Sequence, residues 1–255
     1  MICDIVVRSY WRDLEWLDYC LRSIERYCHG FREILVVLPA KSMPWFERHT
    51  ALQQHGRRRG GTIGQYRLIV GPDYPDDYLG QQVTKLYADE ISDAEYLCHV
   101  DSDCIFRVPT TVEDLVPIGK PKIYTRPLDE LPEPWPWFGP TCDFVGEAPT
   151  HDFMQCPPFT YPAWLYRELR AWCRATHGVE LASWVLSRPS RGFSEFNALG
   201  AYAYAHHRDR FVWVRSRDIG EEERRCHWHW SWGGIDDAMR RDLERLVASQ
   251  EAHDG

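Results

Sequence analysis

Residues 96–106, Tyr96-Leu97-Cys98-His99-Val100-Asp101-Ser102-Asp103-Cys104-Ile105-Phe106, decide the fold. The apolar run from Tyr96 to Val100 has the length and composition of a buried strand, and it stops directly on two carboxylates spaced i, i+2. In open α/β sheets, ligands collect beyond the carboxyl ends of strands, where loops and helix N-termini converge with unpaired amides. A second short apolar run, Cys104 to Phe106, follows at once.

Toward the N-terminus the spacing predicts a helix from about Gly80 to Ile91. Its apolar face is Val83, Leu86, Tyr87 and Ile91, and its opposite, polar face carries Gln81 and Lys85 one turn apart. Arg67 to Val70, Ile34 to Leu38 and Cys3 to Val7 read as three further strands. Between the first two strands of the chain, Leu14, Leu17, Leu21 and Ile24 recur at helical spacing behind Asp13 as an N-cap. Strand, helix and strand of these lengths make a right-handed βαβ unit, and so an α/β protein with a mostly parallel central sheet flanked by helices. Pro44 opens a short helix to about Gln54, and the glycine-rich, basic Gly56 to Gly64 forms an exposed loop.

Toward the C-terminus the text changes character near residue 110. Pro127 to Pro140 (PLDELPEPWPWFGP) is too rich in proline for regular helix or central strand and reads as an ordered loop over a site. Helices are expected from Pro162 to about Cys173 and, capped by Ser194, from Glu195 to about Ala205. Phe211 to Arg215 reads as a strand. His227 to Gly234 (HWHWSWGG) precedes an amphipathic helix carrying Ile235, Met239, Leu243 and Leu246.

The 255 residues, 44% hydrophobic and 14% aromatic, are enough to bury one large core. A formal charge of -8 is a poor basis for a general nucleic-acid binder, which must neutralise many phosphates. Nine cysteines, an odd number without a CxxC pair, point to free thiols in a reducing compartment. With neither a signal-peptide pattern nor a bilayer-length apolar stretch, the expected setting is soluble and cytoplasmic.

Asp101 and Asp103, pointing the same way from a strand end, offer hard oxygen ligands to Mg2+ or Mn2+ and leave other positions for diphosphate oxygens. An Asp-x-Asp triplet carries little weight alone; its place at the end of the fourth strand is what gives it meaning. With that placement, the chain resembles the GT-A glycosyltransferases, whose metal-binding motif corresponds to YLCHVDSDCIF. The likeness covers residues 1 to about 107. Beyond it the chain is similar to a small bacterial and phage group of GT-A-like proteins through Gln81 to Leu86, Pro157 to Phe159 and Ser194-Glu195-Phe196.

The resemblance implies one GT-A (Rossmann-like) domain over 1–255. Residues 1–107 would form its nucleotide-sugar-binding half, and 108–255 a smaller acceptor-binding lobe with the C-terminal helix. It implies a donor pocket lined by Arg8, Ser9 and Tyr10, with Asp101 on the ribose, Asp103 on the metal-diphosphate and Lys85 beside them. Tyr10 is placed to stack on uracil. His227 or His229, two residues apart, supplies a further metal ligand. A carboxylate base for inverting transfer is Glu195, with Asp152 as the alternative, and a retaining route without a protein base stays open.

The implied function is transfer of a sugar from a nucleotide-sugar, UDP-linked by analogy, to a saccharide or other hydroxyl acceptor. Two other readings compete. One is a non-catalytic carbohydrate binder using Trp135, Trp137, Trp228, Trp230 and Trp232, with structural zinc at Cys226, His227 and His229. The other is a transferase acting on hydroxymethylated bases of phage DNA, with Arg57, Arg58, Arg59 and the arginines from Arg208 to Arg225 on phosphates. The acidic charge ranks nucleic acid below saccharide acceptors.

Overall fold

Strands whose side chains are enclosed at every position must be covered on both faces, and the order of elements along the chain supplies helices for each. The computed structural model describes residues 1–55, 66–131 and 135–248. The expected loop Gly56–Gly64 and part of the proline-tryptophan segment lie outside them. The first half runs β1 (Cys3–Arg8), α1 (Leu14–Tyr27), β2 (Ile34–Pro39), β3 (Tyr66–Gly71), α2 (Asp77–Leu86), β4 (Tyr96–Asp101) and β5 (Cys104–Phe106). The second half runs β6 (Lys122–Pro127), α3 (Phe138–Val145), β7 (His151–Asp152), β8 (Phe159–Pro162), α4 (Ala163–His177), α5 (Leu181–Leu186), α6 (Glu195–His206), β9 (Val212–Arg215), β10 (Cys226–Trp228) and α7 (Asp237–Val247).

The central sheet has the order β8-β4-β1-β2-β3. Its first-half strands pair in parallel, while β8 joins antiparallel to β4 with Phe159 opposite His99. Side chains alternate between two cores, as the two-residue period of a strand requires. Ile5, Val7, Val36, Leu38, Cys98 and Val100 face Leu17, Leu21 and Ile24 of α1 and Leu243 and Val247 of α7. Val6, Leu35, Val37 and Leu97 face the opposite core, with Leu79, Val83 and Leu86 of α2, Leu165 and Leu169 of α4, and Phe196 and Leu199 of α6.

The α/β class and the mostly parallel sheet are as the sequence predicts, with the strands close to their expected bounds; the helix expected from about Gly80 to Ile91 spans Asp77–Leu86 with a separate 3-10 turn at Ala88–Glu90, and the one expected from Pro44 to about Gln54 is split into Met43–Phe46 and Thr50–His55. The C-terminal half contributes to the same sheet through β8, which extends it, and β10 pairs antiparallel with β5. Three further details differ. Phe138 to Pro140, expected as loop, open α3, because proline is tolerated in the first turn of a helix. Asp13 and Ser194 occupy N-cap positions, but neither side chain makes the capping bond. Of the polar face expected for α2, Lys85 is turned inward and buried while Gln81 is half-buried, and the neighbouring Gln82 is buried as well. All nine cysteines are free, eight of them buried, and no helix among the described residues is long and apolar enough to cross a membrane.

His99, enclosed in β4, has Nε2 2.7 Å from the Tyr166 hydroxyl and no hydrogen-bond partner for Nδ1 among the described residues. Burial, aided by the charge of Lys85, pulls its pKa down to about 3. The unfolded chain, with an ordinary histidine near 6.5, therefore binds more protons between these values. The resulting stability is full above about pH 6.5 and is lost as the pH falls toward 3. Between pH 6 and pH 5 His99 should withdraw roughly 1 kcal/mol. Urea denaturation at both pH values should show a smaller loss in His99→Gln; identical losses would remove His99 as the cause.

Candidate functional site

The strand order reverses at β1. The chain passes through α1 to β2 on one side of β1, and through α2 to β4 on the other. A crevice opens at such a switch point because the two connections leave the carboxyl ends of the adjacent strands in opposite directions. Arg8 and Asp101, the last residues of β1 and β4, sit there in register.

Lys85 rises from α2 beneath this crevice. Its Nζ lies 2.6 Å from Asp101 Oδ1 and 2.7 Å from Glu195 Oε1, and 4.8 Å from the centroid of the Phe196 ring. Lys85 and Glu195 are only 3% and 5% exposed, so water screens the ion pair little. Burial opposes the ammonium charge, but Asp101 and Glu195 outweigh it and raise the Lys85 pKa. Glu195 is held from behind as well: its backbone N–H donates to Gln82 Oε1 at 3.1 Å.

Asp103 is secured by the C-terminal segment. Its Oδ2 accepts the Ser231 N–H at 3.2 Å, and its carbonyl accepts the His229 N–H at 2.8 Å. The Ser231 hydroxyl donates to Asp13 Oδ2 at 3.3 Å. Burial and the neighbouring Asp101 push the Asp103 carboxyl up to about 7, and burial pushes Asp13 up to about 6. No basic side chain among the described residues pairs with Asp103. A carboxylate pair in which Asp103 is buried without a basic partner among the described residues and Asp101 is half-buried is suited to a hard divalent cation. Among the described residues no three His, Cys, Asp or Glu side chains converge on one point. A metal held here would thus use Asp101 and Asp103 and fill its remaining positions from the ligand and water, as Mg2+ commonly does.

The other expected residues fall into place unevenly. Arg8 is buried and its guanidinium donates to the Ser9 carbonyl; burial lowers its pKa to about 10 against the pull of Asp77 and Asp101. The Ser9 hydroxyl is buried without a partner among the described residues. Tyr10 is half-buried beside Trp11, which stacks on Trp45 at 5.1 Å. Asp152 belongs to a separate set, accepting from the Met154 N–H at 2.9 Å and Gln155 Nε2 at 2.5 Å.

The histidines do not form the expected constellation. His229 reaches Asp103 through its backbone, while its ring packs on Trp16 at 5.1 Å. The His227 ring lies 4.4 Å from it, and β10 exposes His227 while burying Cys226. Burial lowers the His229 pKa to about 4, leaving a neutral ring. Arg57, Arg58 and Arg59 lie outside the described residues. Arg215 and Arg217 pair with Glu130, Arg224 with Glu221 and Arg225 with Asp114, so these guanidinium groups already have carboxylate partners.

Sequence reasoning missed Asp13, which looks like an N-cap, and Ser231, an ordinary serine in a tryptophan-rich stretch. Neither has a local signal, because each acquires its role by meeting a segment over a hundred residues away. A wide cleft of about 950 Å3, lined in part by Asp89, Asp93, Glu95, Tyr96 and Trp164, opens at the amino ends of the strands. It lies away from the carboxylate pair, and the strand-end chemistry favours the crevice.

Residues 7–218 match a family of unknown function, DUF6492. No curated protein matches the chain.

Removing the shared ammonium should expose the energetics of the site. Lys85→Met is expected to cost roughly 3–5 kcal/mol, because Glu195 stays buried without a countercharge. Adding Glu195→Leu should restore much of that loss, giving a coupling of at least about 1 kcal/mol in denaturant unfolding of both single variants and the double. Simple additivity would mean that the two groups are energetically independent.

Proposed function

The chain belongs to the DUF6492 family, and we propose that it is a metal-dependent glycosyltransferase that moves a sugar from a nucleotide-sugar, with UDP as the expected nucleotide, to an acceptor hydroxyl. The observation that carries this reading is the undercompensated pair Asp101 and Asp103 at the carboxyl end of β4, beside the switch point at β1. Manganese or magnesium held there would neutralise the departing nucleoside diphosphate. The free thiols fit a cytoplasmic enzyme.

In this reading the protein's own groups position and deprotonate. Lys85 engages Asp101 through Oδ1, 2.6 Å from its Nζ. The loop after β1, with half-buried Tyr10 and a Ser9 hydroxyl that has no partner among the described residues, lines the nucleotide side. For inverting transfer, Glu195 takes the proton of the acceptor hydroxyl as the bond from that oxygen to the anomeric carbon forms and the bond to the diphosphate breaks. Glu195 fits this role better than Asp152 because Lys85 joins it to Asp101, whereas both Asp152 oxygens serve a different hydrogen-bond set.

Asp103→Ala should fold normally yet lose the thermal stabilisation given by UDP with manganese. An undiminished shift would sink the metal assignment. Glu195→Gln should keep that shift and slow transfer or donor hydrolysis by roughly 100-fold. Loss of donor binding in the same variant would make Glu195 a structural residue instead.

A further inference from the structure

A run of aromatic rings leads from Lys85 to the surface. Phe196, beneath the ammonium, stacks on Phe159 at 4.0 Å, and Phe159 meets Trp228 edge-on at 6.2 Å. Trp228 stacks on Trp230 at 5.6 Å, and Trp230 meets Trp232 at 6.4 Å. The last two indoles are 67% and 68% exposed. Burial therefore does not account for them, and neighbouring exposed indoles are the usual platform for sugar rings. Ser231, between them, is the residue that holds Asp103 and Asp13.

Over Trp232, 4.2 Å from the ring centroid, lies the guanidinium of Arg191. Its backbone is in the left-handed region, φ +62°, in a turn closed by the Gly192 N–H donating to the Pro189 carbonyl at 2.7 Å. Glycine or asparagine is usual at such a position, and another residue kept there carries backbone strain, as binding residues often do. Arg191 is exposed, and no carboxylate among the described residues pairs with it.

We propose that Trp230, Trp232 and Arg191 form an acceptor subsite, and that the acceptor is a saccharide bearing an anionic group, a phosphate ester or a carboxylate. The sugar ring lies on the indoles, and the anion pairs with the guanidinium that Trp232 holds in place. Its use as an acceptor site rests on the transferase reading, whereas its binding preference does not.

Three probes test it: methyl glucoside, glucuronate and glucose 6-phosphate, followed by tryptophan fluorescence and calorimetry, with UDP plus manganese measured in parallel by thermal shift. Glucuronate or glucose 6-phosphate should bind about tenfold or more tighter than methyl glucoside, and whichever does so identifies the anion. Arg191→Gln should reduce that preference to about twofold or less, Trp232→Ala should weaken all three probes, and both variants should keep the UDP–manganese shift. Equal affinity for neutral and anionic sugars, or no binding of any, overturns the proposal. So does an Arg191→Gln variant that loses UDP binding, since the arginine would then serve the donor diphosphate. An anionic preference without any UDP–manganese shift would leave the subsite standing and remove the transferase reading.

Discussion

One buried ammonium organises the crevice. Lys85 stands between Asp101 and Glu195, joining the end of β4 to the start of α6 through a group that is almost wholly enclosed. Desolvating a charge is costly, so each of the three positions constrains the other two. The ion pair cannot separate without leaving a charge stranded beside Phe196. Two halves of the chain that read differently in sequence are thereby held to one geometry at the switch point.

The opposite wall works by different means. Asp103 and Asp13 are tied to the C-terminal segment by one residue, Ser231, and by the strand pairing of β10 with β5. Here positive charge is scarce, and burial keeps both carboxyls above the usual carboxylate range. A protein built only for stability would pair or remove such groups, and both carboxyls instead stay buried or half-buried without a basic partner of their own among the described residues. The balance is asymmetric, since Asp101 has a protein cation and Asp103 has none among the described residues.

The aromatic run from Phe196 to Trp232 connects these walls to solvent. Its inner rings belong to the packed core, and its outer rings stand exposed next to Arg191. Position along this run of rings thus separates tryptophans packed against the core from those exposed at the surface. Composition alone groups them together.

The sequence by itself determined the alternation of strand and helix, the parallel sheet and the Asp101–Asp103 pair. Periodicity, turns and a carboxylate at a strand end are local properties, legible over ten or fifteen residues. It also marked Lys85 and Glu195 as candidates, with the lysine on the polar face of its helix. Only the tertiary structure decided that Lys85 turns inward, that Asp13 and Ser231 join the site, that the His229 ring packs on Trp16, and that Arg191 lies on Trp232. Those outcomes depend on contacts between residues as much as 218 positions apart. Such contacts are set by the strand order and by the closure of the C-terminal segment, neither of which leaves a local pattern in the chain.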